Sequence, residues 1–191
     1  MKTMAIQDRV RKLTYDDYVL IPDDGNRHEI LDGEHYVSPS PKRFHQRLVG
    51  RLFKRLEALV DRLGLGEVYL SPFDVVLSAN DVVQPDLFFL SLERSEISTE
   101  DNIQGAPDLV VEILSERTRK WDEEKKLRRY EQFGVREYWI VNGAWKVVTV
   151  YRWTDGKFYR QPELSAIAGH VLTTPLLPGL AIPLAELFAS S

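Results

Sequence analysis

The chain has 191 residues, 43% of them hydrophobic and 28% charged, a balance that excludes a disordered or fibrous protein and fits one compact domain over 1–191, with a core over about 14–153 and a C-terminal extension over about 154–191. It has no cysteine, which excludes disulfides, thiol nucleophiles and cysteine-built zinc sites. A net charge of −4 argues against a protein that coats nucleic acid, so any positive charge offered to a polyanion must be local.

No apolar run reaches the roughly 18 residues that a membrane span needs. The opening MKTMAIQDRVRK has no apolar signal-peptide stretch, so the cytoplasm is the expected location. Thr14 caps a short helix in LTYDDYVLIP that Pro22 stops. Asp32-Gly33 is a hairpin signal joining a strand with Glu29 and Ile30 to one with Tyr36 and Val37. From Pro41 to Leu63, Leu48, Leu52, Leu56, Leu59 and Leu63 recur at spacings of three and four, which predicts an amphipathic helix ended by Gly64. Arg43, Arg47, Arg51, Lys54, Arg55 and Arg62 lie along its flank, by default a solvated face. His45 shares a side with Leu48 and Leu52, so it reads as a core or cleft-lining histidine before a catalytic one. His28, His35 and His170 show no metal-binding spacing.

EVYLSPFDVVL and VVQPDLFFL read as strands separated by a turn at Ser78–Asp81, and a polar loop runs on to residue 105. LVVEIL, after Pro107-Asp108, is apolar on both faces except at Glu112, the pattern of a strand in the middle of a sheet. Ser115 and Thr118 supply helix-start chemistry for a helix from Trp121 to Phe133, which Gly134 terminates. EYWIV and WKVVTVYRW read as two more strands, taken as aromatic-rich sheet edges. LLPGLAIPLAELF finishes in a short helix packed on the core, and no internal repeat or linker interrupts the chain.

Burying the Glu112 carboxylate unpaired would cost several kcal/mol, so a metal, a cation or a dense set of donors must sit beside it. Asp108 shares its face but lies roughly 13 Å along the strand, too far to share an ion. Asp86, at the end of VVQPD, falls beside Glu112 if the two strands pair; taken alone it would be a strand-end cap. Thr118, Asp122, Lys126 and Tyr130 recur at i,i+4 spacing and line one side of the following helix, polar where a helix on a sheet is usually apolar. From there Lys126 leans toward Asp86 and Glu112, while Lys125 points about 100° away. Tyr130 is placed to bond Asp122 or a phosphate, or simply to pack. Two carboxylates on adjacent strands with a lysine nearby are what Mg²⁺-assisted phosphodiester hydrolysis requires. The alternative is a buried Glu112–Lys126 ion pair with no metal.

The segments EILDGEHY, VVQPDL, GAPDLVVEILSERT, DEEKKLRRY and GVREYWIV, in this order, resemble the Uma family, a bacterial branch of the PD-(D/E)xK nucleases, from about Tyr15 to the LLPGL segment. The resemblance implies an α/β restriction endonuclease-like core, a central mixed β-sheet flanked by helices, with Mg²⁺ or Mn²⁺ held by Asp86 and Glu112 and with duplex DNA as substrate. The family's lysine two positions after the glutamate is replaced by Leu114, and the pattern implies that Lys126 has taken its role. Glu29 resembles the family's early glutamate, a further ligand or a supporting group, and His45, Asp122 and Tyr130 are candidates for support. The expected protein is thus a Mg²⁺-dependent endodeoxyribonuclease. It is expected to be a homodimer, because cutting both strands needs two sites, with EYWIV and WKVVTVYRW as contact surfaces. The readings kept beside it are a catalytically silent nucleic-acid or protein interaction module and a metal-dependent phosphohydrolase acting on a smaller substrate.

Overall fold

The structure, a computed structural model, describes residues 11–38, 40–115 and 119–189. Thr14 closes a capping box on α1 (Tyr15–Tyr18), which stops at Val19, short of Pro22. Asp32 and Gly33 adopt φ of 54° and 75°, the conformation a two-residue hairpin demands, and they join β1 (Arg27–Leu31) to β2 (Glu34–Ser38) with Glu29 opposite Tyr36. In α2 (Arg43–Leu63) the buried residues are Leu48, Leu52, Leu56, Leu59 and Val60. Leu63, read as the end of the apolar stripe, is instead exposed, because Gly64 takes a left-handed cap beside it and turns the chain away.

The next two β-rich runs each break in half. EVYLSPFDVVL gives β3 (Gly66–Leu70) and β4 (Asp74–Ser78), and VVQPDLFFL gives β5 (Asp81–Val83) and β6 (Leu87–Ser91). Pro72 and Pro85 sit at the two breaks, where a residue without a backbone N–H cannot continue a ladder. A 3₁₀ turn over Leu92–Ile97 leads to β7 (Asn102–Gln104) and β8 (Leu109–Ile113). A π-helical turn, Trp121–Lys126, runs into α3 (Leu127–Phe133), which Gly134 caps. Then follow β9 (Glu137–Asn142), β10 (Val147–Thr154), β11 (Lys157–Arg160), β12 (Leu164–Ser165), β13 (Val171–Leu172), β14 (Ile182–Pro183) and α4 (Leu184–Leu187).

Among the described residues these strands form a five-stranded sheet in the order β2-β1-β5-β4-β7, a seven-stranded sheet in the order β11-β10-β9-β8-β6-β3 with β12 beside β10, and the ribbon β13-β14. In the large sheet β8 and β9 are parallel, joined by the helical crossover, and the other ladders are antiparallel. This is the mixed sheet flanked by helices that the sequence leads one to expect.

Period-two alternation divides the large sheet between two cores. Leu87, Phe89, Leu109, Val111, Ile113, Trp139 and Val141 pack with α2 and α4 on one face. Phe88, Leu90, Val110, Tyr138 and Ile140 pack on the other, with Tyr130 of α3 and with Leu31, Val75 and Val83 of the smaller sheet. The strand EYWIV is corrected from edge to centre: β9 is wholly buried between β8 and β10, and β10 is covered by β9, β11 and β12. Neither therefore offers a free strand edge to a second chain, although Trp145 and Trp153 of the second segment stay exposed. No helix among the described residues is long and apolar enough to cross a membrane.

Candidate active site

The β6–β8 register sets Leu87 opposite Val111, so the residue before each pairing meets the residue after it. Asp86 therefore falls beside Glu112 and Ile113, and the Ile113 N–H donates to Asp86 Oδ2 at 2.8 Å. Glu112 follows Val110 on the face that looks toward α3 and the smaller sheet. There the apolar lining ends in charge: Glu29, Glu112, Asp122 and Lys126 are all buried.

Lys126 stands at the end of the π-helical turn, where the backbone bonds i→i+5 and the turn is wider than an α-helix. Its Nζ lies 2.7 Å from Glu112 Oε1, 2.9 Å from Glu29 Oε1 and 3.8 Å from Asp122 Oδ1. Lys125 points outward, half exposed and 3.7 Å from Glu34, so Lys126 is the lysine that meets the acids. Tyr130, expected to reach Asp122 or a phosphate, instead donates its hydroxyl to Glu112 Oε1 at 2.9 Å. Asp122 is buried on the same side, and its carbonyl accepts from the Tyr138 hydroxyl at 3.1 Å. Thr118, the first residue of the expected stripe, lies outside the described residues. Glu29 comes from β1, where its Oε1 also accepts the Gln84 N–H at 2.8 Å while its buried Oε2 has no hydrogen-bond partner among the described residues.

The two central acids are held in opposite senses. Burial raises the Glu112 carboxyl above its ordinary range, and the neighbouring charges of Asp86 and Glu29 add to this against the opposing pull of Lys126 and Arg27. Burial also disfavours the Asp86 carboxylate, but the hydrogen bond from His45, the Arg27 charge and the Ile113 N–H outweigh it and bring the group down to about 2. At Lys126 burial works against the ammonium and is overcome by Glu112, Glu29 and Asp122, so the lysine stays charged.

Around Asp86 the structure adds one residue expected as support and one the sequence analysis missed. His45, from the first turns of α2, places Nε2 2.9 Å from Asp86 Oδ2. Arg27, at the start of β1, places Nη1 2.8 Å from Asp86 Oδ1. The signal for Arg27 was its spacing of two from Glu29, which puts both side chains on one face of β1. Arg27, His45, Asp86, Ile113 and Asp122 share the wall of a cleft of about 1070 Å³, a size suited to an extended ligand.

The residues fit a hard divalent cation, with water completing its shell. Among the described residues both donors to Glu112 converge on Oε1, leaving Oε2 without a hydrogen bond, and Asp86, held by Arg27, His45 and the Ile113 N–H, adds the second carboxylate from the adjoining strand. No group of three or more histidine or acidic side chains gathers as a metal cage among the described residues. Mg²⁺ is nonetheless commonly held by one or two carboxylates while it keeps several waters.

A mixed sheet with a parallel β8–helix–β9 crossover and an acidic pair at one end of the β6–β8 ladder defines an α/β protein of nuclease fold. A crystal structure described as "a putative nuclease belonging to DUF820" from Anabaena variabilis has the same architecture, with a TM-score of 0.76 over 92% of this chain and 97% of that one, at 18% identity. The chain belongs to the Uma2 family, described as "Putative restriction endonuclease", whose model matches residues 15–185. No curated protein matches it.

Proposed function

We propose that the chain is a metal-dependent endonuclease that hydrolyses phosphodiester bonds of duplex DNA, with Asp86 and Glu112 as the ligands of Mg²⁺ or Mn²⁺. The observation that carries this reading is the juxtaposition of Asp86 and Glu112 across the β6–β8 ladder, tied by the Ile113 N–H, with Asp86 on the cleft wall and Glu112 buried behind it. Membership in a family described as restriction endonucleases supports the substrate class. A bound divalent cation would supply Lewis-acid stabilisation of the charge that develops on the phosphate and would lower the pKa of a coordinated water.

The chain's own residues do the rest. Lys126 and Tyr130 hold Glu112 in one orientation through its Oε1, which would leave Oε2 to hold an ion. Lys126 keeps its proton, so its role is electrostatic: it offsets the acids and orients the attacking water beside Glu112. Glu29 fixes Lys126 from the other side, and His45 fixes Asp86. We propose further that the whole chain is one domain and works as a homodimer, two sites related by a two-fold axis cutting the two strands of a duplex.

A second reading, a catalytically silent module, is favoured by one observation: each carboxylate of the cluster already has a protein cation beside it without a metal. Incubation of the protein with a labelled duplex in Mg²⁺ or Mn²⁺, with a chelator control, and titration calorimetry of each ion separate the two. Chelator-sensitive cleavage with ion binding supports the nuclease. Ion binding without cleavage of DNA, but with release of phosphate from nucleotides, moves the reading to a phosphohydrolase, and no ion binding moves it to the module.

A further inference from the structure

The lysine assigned to the chemistry is walled in. Lys126 is fully buried, in ion-pair contact with Glu112 and Glu29, and it is absent from the cleft wall. A buried ammonium in that position tunes and orients, but it does not reach a phosphate that stays in the cleft.

Arg27 is placed otherwise. Its guanidinium lines the cleft beside Asp86 and His45, its side chain is 20% exposed, and its one described contact is the 2.8 Å pair with Asp86 Oδ1. A guanidinium carries five N–H donors in a rigid planar fork that matches phosphate oxygens, and a single acceptor leaves most of that fork unused. The strand explains the arrangement. Arg27 and Glu29 are two apart on β1, so one short strand delivers the acid that fixes Lys126 and the cation that faces the cleft, while the Ile30–Val82 pairing docks that strand onto β5.

Resting on the nuclease reading above, we propose that Arg27 is the residue that grips the scissile phosphodiester: it neutralises Asp86 in the free protein and presents its remaining N–H groups to the substrate phosphate. A guanidinium on Asp86 Oδ1 and a divalent cation on the same carboxylate repel each other. Arg27 therefore weakens ion binding in the free protein, and a substrate phosphate lying between the two positive charges relieves that conflict.

The test uses Arg27→Ala and Arg27→Lys in the full chain. Calorimetry with Mn²⁺ alone should show Arg27→Ala binding the ion at least as tightly as the parent. Cleavage of a labelled duplex at saturating Mn²⁺ should fall on the order of 10²-fold in Arg27→Ala, with a raised KM and partial recovery in added guanidinium ion. Arg27→Lys keeps the charge and loses the fork, so it preserves the fold and should lie between the two. Cleavage by Arg27→Ala within threefold of the parent overturns the proposal. So does weakened Mn²⁺ binding whose loss of cleavage is recovered simply by more Mn²⁺, because Arg27 then only organises Asp86. If the parent binds Mn²⁺ and leaves the duplex intact, the nuclease reading fails, and anisotropy of the labelled duplex in Mn²⁺ decides on Arg27: weaker binding by Arg27→Ala than by Arg27→Lys sustains it, and equal binding by all three overturns it.

Discussion

The Ile113 N–H donates to Asp86 Oδ2 at 2.8 Å, so the acid at the entrance to β6 is anchored by the backbone of the residue next to Glu112. The acid–acid spacing thus depends on a strand register and not on a loop. The environments of the two acids differ, however. The surroundings of Asp86 favour its ionised form, whereas burial of Glu112 works against its charge.

Substitution of the two acids should therefore part company in the metal-free protein. Asp86→Asn removes the charge that Arg27 and His45 are built around and should cost roughly 1–3 kcal/mol, less than a fully buried pair because Arg27 is partly exposed. Glu112→Gln relieves repulsion with Asp86 and Glu29 while Lys126 keeps Glu29, and should be neutral or slightly stabilising. Both should abolish metal-dependent cleavage. Urea melts in chelator, paired with cleavage assays, check this; equal destabilisation by both substitutions contradicts the electrostatic account, and parental turnover by either ends the metal-ligand assignment.

Glu29 touches Lys126 and the Gln84 N–H. If it acts only through Lys126, Glu29→Gln should lower activity by about 10–100-fold, the usual range for a residue behind the ligands, and should leave the fold intact. Mn²⁺ calorimetry on the same variant checks the assignment. Loss of ion binding along with activity would make Glu29 a ligand in its own right, through the Oε2 that has no hydrogen-bond partner among the described residues.

What the sequence made legible follows from where its signals are local. The Asp32-Gly33 hairpin and the α2 stripe are written in turn chemistry and in a period of three to four, and Glu112 stands out because a charge in an apolar run is costly wherever the strand packs. Partner choice is not local. Nothing within EVYLSPFDVVL says that Leu70 and Val75 go to different sheets, although Pro72 marks the break. EYWIV is apolar on both faces, as a central strand should be, yet its aromatics suggested an edge. Arg27 was missed because a charged residue at a strand start is normally solvated, and only docking of β1 on β5 brings it to Asp86.

Dimerisation should show as twice the 22.1 kDa chain mass in light scattering at micromolar concentration. With β9 and β10 inside the sheet, the strands left at the sheet ends among the described residues are β3, β11 and the short β12 in the large sheet and β2 and β7 in the small one. Charge substitutions on the surfaces beside these strands should dissociate the dimer and lower cleavage of both strands more than nicking of one. A monomer mass together with full double-strand cleavage contradicts the two-site scheme.

Lys126 separates catalysis from stability most sharply. Its ammonium contacts Glu112 and Glu29, both buried, so Lys126→Met leaves two uncompensated acids in the metal-free protein and should cost about 3–5 kcal/mol. Because that loss can unfold the chain, Lys126→Met is paired with Glu29→Gln, which removes one of the stranded charges and restores part of the stability. In that folded background, saturating Mn²⁺ replaces much of the lost positive charge near Glu112, yet it does not orient the attacking water from the lysine's position. Turnover should then remain down by orders of magnitude relative to Glu29→Gln alone, with ion affinity unchanged or tightened. Lys125→Met, altering a half-exposed side chain 3.7 Å from Glu34, should stay within about 0.5 kcal/mol of the parent and keep its activity. Recovery of turnover by Mn²⁺ in the Lys126 variant would reduce that lysine to a structural counter-ion, and a larger loss at Lys125 than at Lys126 would transfer the role to the outer residue. Cleavage of a labelled duplex alongside thermal melts of the chelated proteins reads all of these outcomes.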